Sequence, residues 1–249
     1  MKKQLAKLAL TAALGLALTL LACEDKEKKQ TPAETQTAEP AAAAETQEAA
    51  VEKEKAGGKL LETITYENGD VQKFEYDEQN RIVKMDNKTI TYADNLVTVG
   101  TQKFVINGNT VTVDGKSFTI NEDGYIVERN GEEYKYEDGN LIKIFDKSDD
   151  FEDGSSYFYD DKKSPFSNSN TPKWLISLEV GIRYTSGGTE SLASKNNVSG
   201  YLFQGGAPGG CDSEYEYDKD EFPVTNTRTC RVDDAEDTSI IRYVYRNGK

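Results

Sequence analysis

The sequence predicts an all-β fold, an antiparallel meander of short hairpins that occupies residues 59–249. From Leu60 onward, short segments alternate apolar and polar residues, which is the pattern of strands that bury one face. Asn-Gly and Asp-Gly pairs separate these segments, and such pairs supply the positive φ angles that tight hairpin turns require. No segment beyond residue 59 shows a convincing apolar period of 3.6, so little helix is expected. We expect a long wound sheet, or an open barrel or sandwich.

The strands are assigned in order from this alternation. They are Leu60–Tyr66, Val71–Asp77, Lys88–Tyr92, Thr101–Ile106, Thr110–Val113, Ser117–Asn121, Glu132–Tyr136 and Leu141–Phe145. The turn signals between them are Glu67-Asn68-Gly69-Asp70, Asn107-Gly108, Asp114-Gly115, Asp123-Gly124, Asn130-Gly131 and Asp138-Gly139. Because connections this short reverse the chain direction, neighbouring strands should be antiparallel.

The N-terminal 22 residues have the layout of an export signal. Lys2, Lys3 and Lys7 form a positive region, and Leu8–Ala22 is an uncharged apolar stretch shorter than the roughly 20 residues that a membrane-spanning helix needs. The adjoining Leu20-Leu21-Ala22-Cys23 resembles the lipobox of bacterial lipoproteins. This resemblance implies acylation of Cys23 and cleavage after Ala22, so that the chain is held to a membrane by its acyl chains. The alternative is a short buried apolar helix with an incidental cysteine.

Residues 23–58 differ abruptly in composition from the β-domain. They consist mainly of Ala, Glu, Thr, Gln, Lys and Pro, with no aromatic residue. Such a segment cannot bury enough apolar surface to offset the entropy lost on ordering, so we interpret it as a disordered linker behind the lipidated N-terminus. A flexible coil of this length reaches on the order of 30 Å, enough to separate the β-domain from the bilayer.

Charge and composition exclude several classes of function. The formal net charge is −14, and removal of the signal takes away three lysines and no acid, so the mature chain is more acidic still. This argues against nucleic-acid binding and favours a monomer. Histidine is absent, which excludes Ser-His-Asp and Cys-His nucleophiles and imidazole metal ligands. We expect no cofactor and no metal.

Two cysteines remain once Cys23 is assigned to lipid, and an even remainder in an exported protein indicates a disulfide. Cys211 and Tyr215 lie on one face of the first predicted strand, and Cys230 lies on one face of the second. When the two strands pair, both cysteines are on the same side of the sheet. A four-residue turn at Asp218–Glu221 would pair Cys211 with Cys230, and it would also pair Tyr215 with Asn226 and Tyr217 with Val224. The alternative is two reduced cysteines buried separately.

A local pattern recurs through the β-domain: an aromatic residue, any residue, an aromatic or aliphatic residue, an acidic or Asn turn, and then an apolar pair. Its copies are Phe74-Glu75-Tyr76-Asp77, Phe118-Thr119-Ile120-Asn121, Tyr134-Lys135-Tyr136, Tyr157-Phe158-Tyr159-Asp160 and Tyr215-Glu216-Tyr217-Asp218. These units resemble YD repeats, and the arrangement over residues 60–246 is similar to that of YD-repeat-like lipoproteins of Gram-negative bacteria. The resemblance implies a β-rich domain behind a lipobox and brings no catalytic role.

The paired aromatic residues have two interpretations. Residues two apart lie on one face of a strand, so these side chains could form rows across neighbouring strands. We favour packing on the buried face over a stacking platform for sugars or peptides.

The acidic segment Asp149–Gly154, followed by Asp160, faintly resembles a calcium loop. Phe151 occupies a ligand position and the twelfth residue is Asp rather than Glu, so we favour a solvated loop.

These observations predict a non-enzymatic structural or binding module. We expect it to be lipid-anchored in the outer membrane, on its periplasmic face or at the cell surface, with a glycan or a protein as candidate ligand. The alternative is a carboxylate-dependent glycan hydrolase of the cell envelope, because glycoside hydrolysis needs only paired carboxylates and the chain has 44 acidic residues. No nucleophile, base or cofactor motif favours an enzyme.

Overall fold

A computed structural model describes residues 58–148, 154–180, 189–203, 209–233 and 235–248. Within these ranges the chain forms sixteen β-strands in one closed antiparallel barrel, and each strand pairs with its neighbours in sequence. The barrel closes where β1 pairs with β16, from Lys59 opposite Asn247 to Thr65 opposite Arg242. The all-β antiparallel prediction is therefore confirmed.

The strands are β1 Lys59–Thr65, β2 Val71–Tyr76, β3 Ile82–Met85, β4 Lys88–Ala93, β5 Leu96–Val99, β6 Gln102–Asn107, β7 Thr110–Val113, β8 Lys116–Ile120, β9 Ile126–Arg129, β10 Glu132–Glu137, β11 Asn140–Asp146, β12 Gly154–Lys163, β13 Asn196–Phe203, β14 Gly209–Tyr217, β15 Pro223–Val232 and β16 Ala235–Asn247. The eight strands assigned from the sequence are all present. Of the first eleven strands, β3, β5 and β9 were missed; each has only four residues and begins with two adjacent apolar residues, so none alternates strictly.

The expectation of a long wound sheet, or of an open barrel or sandwich, is wrong because the sheet is closed. Alternation along a strand shows which of its faces is buried. The alternation is the same whether the first strand pairs with the last strand or remains at the edge of an open sheet. Closure instead depends on the pairing of segments that lie almost the whole domain apart in sequence. It leaves no unpaired edge in the sheet.

The repeated pattern in the sequence corresponds to a repeated turn. The side chain of Asp77 accepts hydrogen bonds from the backbone N–H groups of Gln79 and Arg81, and Asn80 has a φ of 60°. Asn121 and Asp218 start equivalent turns, with positive φ at Gly124 and Glu221. In all three hairpins the register also shifts by one residue, between the two residues that precede the Asp or Asn. The short polar side chain therefore fixes the turn, and a bulge accompanies it.

The connection from β12 to β13 contains two short helices that the sequence did not predict. These are α1, Lys173–Glu179, and a 3-10 helix at Thr189–Ala193. Trp174, Leu175 and Ile176 are consecutive in α1, and all three are almost completely buried. A helix buried on all sides has no polar face, so its sequence shows no apolar period of 3.6 residues. No described helix is both long enough and apolar enough to cross a membrane.

The core of the barrel is filled by side chains. The ring of Trp174 lies 5.2 Å from that of Phe104 and 5.8 Å from that of Phe118. Phe166, from the same connection, meets Phe74 edge-on at 5.5 Å. The connection between β12 and β13 thus packs against inward-facing aromatic residues of the wall, and the interior is a packed core.

The outer face of the wall is mostly polar, although several large apolar residues are also exposed: Val71, Val105, Phe158, Leu202, Val232 and Val244. In β2 the buried Gln72 and Phe74 alternate with the exposed Lys73 and Glu75. Other strands alternate in the same way, and the residues they expose include Lys88, Thr91, Lys103 and Lys135. The apolar face of these strands therefore points into the barrel and the charged face points out.

Candidate functional site

A polar pocket of about 50 Å³ lies inside the barrel, between the β12–β13 connection and the wall formed by β13 to β16. Its described lining is Ser164, Pro165, Ser191, Leu192, Asn196, Asn197, Val198, Tyr201, Cys211, Ser213, Tyr215, Asn226, Arg228, Ile241 and Tyr243. This lining contains one cation and no carboxylate. It is the candidate functional site.

Arg228 is the charged group of this pocket. Its side chain is 7% exposed, and its Nε has no hydrogen-bond partner. No described carboxylate forms an ion pair with it. Burial lowers the pKa of the guanidinium, and the nearby hydroxyls of Tyr215, Tyr201 and Tyr243 oppose this effect only in part. A guanidinium nevertheless stays protonated in proteins, so the pocket holds a buried positive charge.

Three neutral polar atoms of the described pocket lining also have no hydrogen-bond partner, although the NH₂ group of Asn197 donates to Asp160 and to the carbonyl of Lys163. The Oδ1 atoms of Asn226 and Asn197 and the Oγ of Ser164 are buried and accept or donate no hydrogen bond. Asn226 is 5% exposed and lies two residues before Arg228 on β15. Buried polar groups in proteins are nearly always hydrogen-bonded, so this number of orphans around one cation is unusual.

The strand register explains how these side chains reach the interior. On β15, Arg228 is paired with Ser213 of β14, two positions from the disulfide pair, and it shares a face with Asn226. Alternation in the sequence places both residues on the face that carries Cys230, but we assigned them no role on that basis. The signal that we missed was the presence of two polar residues, Arg228 and Asn226, at strand positions that the alternation assigns to the buried face.

A second polar group adjoins the pocket. Tyr217 donates a hydrogen bond to the carboxylate of Asp160, and Asp160 also accepts the backbone N–H of Asn197 at 3.2 Å. Burial, together with this carboxylate, raises the pKa of Tyr217 well above its usual value. Asp160 is thus held by β13 and β14 residues and lies outside the pocket lining.

The predicted disulfide is confirmed, since Cys211 and Cys230 are bonded and directly paired across β14 and β15. The pairing of Tyr215 with Asn226 is also confirmed. The pairing of Tyr217 with Val224 is wrong: a bulge after Glu216 places Tyr217 opposite Pro223 instead. Cys23, the predicted lipid-attachment residue, lies outside the described residues, as do the signal peptide and almost all of the linker.

The acidic segment 149–153 also lies outside the described residues, whereas Gly154 and Asp160 belong to β12. Within the described ranges no group of three or more Cys, Asp or Glu side chains could hold a metal ion. The repeated aromatic residues pack inward, as favoured from the sequence. Phe74, Tyr134 and Tyr157 are buried in the core, and Tyr76, Tyr136 and Tyr159 pack against it.

No protein-family model matches the chain, and no curated protein gives a significant match. Several solved structures are similar to it, and two of them are porin-like proteins. A porin-like protein from Bacteroides uniformis has 12% sequence identity and a TM-score of 0.45, over 76% of this chain and 95% of that one. A porin-like protein from Bacteroides vulgatus has 14% identity and a TM-score of 0.38, over 75% of this chain and 99% of that one.

Proposed function

We propose that the protein is a lipid-anchored outer-membrane lipoprotein whose barrel serves as a non-enzymatic binding module. The signal-like N-terminus, the lipobox ending at Cys23 and the linker to residue 58 support attachment through acyl chains. The polar outer face of the barrel supports a domain held beside the membrane, because charged residues on a lipid-facing wall are destabilising.

The observation that carries the binding role is the composition of the interior pocket. Its described lining combines Arg228 with asparagine, serine and tyrosine side chains and includes no Asp or Glu. Glycoside hydrolysis needs two carboxylates that flank the scissile bond. Donors and acceptors without such a pair suit recognition of a ligand, so this lining favours a binding module over the carboxylate-dependent hydrolase.

Palmitate labelling of the full-length chain in a Gram-negative host tests the anchor. We expect wild-type protein to be labelled, cleaved before Cys23 and recovered with the outer membrane. Cys23→Ala should be unlabelled and should keep its signal, because no other residue supplies the lipobox thiol. A double variant, Cys211→Ala with Cys230→Ala, is the matched control and should still be labelled. Normal cleavage of Cys23→Ala would refute the anchor.

Incubation of the purified lipoprotein with envelope glycans tests the binding role. We expect no increase in reducing sugar ends over time, since hydrolysis would generate them. The contrary result would be a release of reducing ends that is lost when a single Asp or Glu is replaced by its amide. That result would refute the non-enzymatic binding role and support the carboxylate-dependent hydrolase.

A further inference from the structure

We propose that the interior pocket binds a small carboxylate anion on Arg228. This inference rests on the proposed binding role and specifies the chemical class of the ligand. A buried cation without a described counter-ion, an unpartnered hydroxyl in the same lining and a cavity of suitable size carry it.

The charge of Arg228 calls for a counter-ion. Its side chain is 7% exposed, its Nε has no acceptor, and no described carboxylate pairs with it. A buried charge is stable only when it is paired and hydrogen-bonded. A bound anion in the pocket would provide both the counter-charge and the missing acceptor.

The number of cations limits the charge of the ligand. Arg228 is the one Lys or Arg among the described residues that line the pocket, and the rest of the polar lining is neutral. A monoanion balances one guanidinium, whereas a phosphate dianion would leave an unpaired negative charge in the interior. The planar fork of an arginine also matches a carboxylate through two parallel N–H···O bonds.

The groups beside Arg228 can complete the site. Asn226 shares a face of β15 with it, and the NH₂ group of this amide can donate to a carboxylate. The buried hydroxyl of Ser164, also in the lining and without a partner, can donate as well. The hydroxyl of Tyr215 already donates a hydrogen bond to the carbonyl of Val198 at 3.0 Å. Its proton is therefore used within the wall and is not part of the proposed anion site. The pocket thus offers donors without a competing carboxylate.

The size of the cavity limits the size of the ligand. The cavity has a volume of about 50 Å³. A water needs roughly 10–15 Å³ of such volume, so the space holds about four non-hydrogen atoms. This matches acetate, or the carboxyl end of a longer molecule that reaches in from outside.

Titration of the detergent-purified full-length lipoprotein with sodium acetate tests the proposal. Arginine labelled with ¹⁵N gives an Nε–H signal for Arg228, which is identified by its loss in Arg228→Gln. At constant ionic strength, acetate should shift this signal in a saturable manner, and chloride should not. Calorimetry should show that Arg228→Gln weakens acetate binding about tenfold or more, the usual effect of losing a charged hydrogen bond.

Arg231→Gln is the matched control, because Arg231 lies on the same strand but is exposed on the outer face, paired with Asp212 and Glu236. It should bind acetate like the wild type. The proposal is overturned by a non-saturable shift, by equal effects of chloride and acetate, or by tighter binding of inorganic phosphate than of acetate. If Arg228→Gln does not fold, calorimetric titration of the wild type with acetate, chloride and inorganic phosphate still decides between these outcomes.

The two proposals fail separately. Absence of acetate binding with normal lipidation and no glycan cleavage would overturn only the ligand class. Glycan cleavage would overturn the binding module whatever the acetate titration shows.

Discussion

Four tyrosine hydroxyls satisfy backbone carbonyls at irregular points of the sheet. Each hydroxyl donates to a residue that lies at a register shift between two strands. The pairs are Tyr76 with Leu61, Tyr92 with Ile82, Tyr159 with Leu141 and Tyr215 with Val198, with oxygen–oxygen distances between 2.7 and 3.0 Å. A bulge frees a carbonyl from the ladder, and a buried carbonyl without a partner is costly. The polar tip of tyrosine thus explains why Tyr and not Phe stands at these four positions.

Tyr76→Phe tests this role at one site. The variant keeps the ring in the core but leaves the carbonyl of Leu61 without its donor, so we expect the free energy of unfolding to fall by about 1–2 kcal/mol. Urea unfolding followed by circular dichroism measures it. Tyr134→Phe is the control, because its hydroxyl donates to the side chain of Glu132. Equal losses in both variants would contradict the carbonyl-capping explanation.

Among the individual elements, the β14–β15 hairpin shows how far local sequence determines geometry. The Asp218 turn, the alternation and the two cysteines together predict two pairings across the hairpin. These are Tyr215 with Asn226 and Cys211 with Cys230, and both are confirmed. The bulge before Asp218 was not predicted, since it depends on how the turn fits the twist of the sheet. It shifts the pairing of Tyr217 by one residue.

Removal of the disulfide should destabilise the barrel without changing its fold. For Cys211→Ser with Cys230→Ser, we expect a loss of about 3 kcal/mol, because the bridge closes a loop with a sequence separation of 19 and restricts the unfolded chain. Urea unfolding of the oxidised, the reduced and the doubly substituted protein measures this. The reduced wild type should match the double variant. An unchanged midpoint on reduction would contradict the prediction.

The α1 helix was missed because its stability comes from distant parts of the chain. Its residues are surrounded by the barrel wall, and Trp174 contacts Phe104 and Phe118 from two different strands. The amide of Trp174 also donates to the carbonyl of Gly124 in a hairpin turn. These partners lie about 50 residues or more away in sequence, so no local window contains the information that stabilises the helix.

Across the whole barrel, closure brings the first strand to the last hairpins. Lys59, at the start of β1, forms ion pairs at 2.6 Å with Asp218 and Asp220 of the β14–β15 turn. Donation to these carboxylates raises the pKa of Lys59, and the same contact lowers the pKa of Asp220. At Asp218 burial acts in the opposite direction, but hydrogen bonds from Lys59 and from the turn backbone outweigh it and lower the pKa. The two ends of the domain are thus held together by these ion pairs as well as by the backbone pairing of β1 with β16.

The buried tyrosines predict a loss of stability in alkali. Burial raises the pKa of several hydroxyls above the ordinary value of 10.0, to about 12 for Tyr92 and higher for Tyr76, Tyr159 and Tyr243. The folded state therefore holds these protons more tightly than the unfolded state. The resulting stability is fully present below about pH 10 and is lost as the pH rises through the folded-state values.

Urea unfolding midpoints between about pH 8 and pH 12 measure this effect. The midpoint should fall above about pH 10, and tyrosinate absorbance should appear together with unfolding. Tyr92→Phe should make the fall less steep, since that variant has one proton fewer to release. A midpoint that stays constant to about pH 12 would contradict the prediction.

Local patterns were enough to predict eight strands and the β14–β15 hairpin, the Asp and Asn turns, the inward aromatic residues and the disulfide. Each of these depends on alternation or turn chemistry within a few residues. Lipidation of Cys23 and the likeness to YD-repeat-like lipoproteins stay predictions from motifs. The closure of β1 on β16, the burial of α1 and the enclosure of Arg228 in a pocket without a described carboxylate became visible only in the folded barrel. These features arise because the closed wall places distant segments against each other, and that proximity is not encoded in any local pattern.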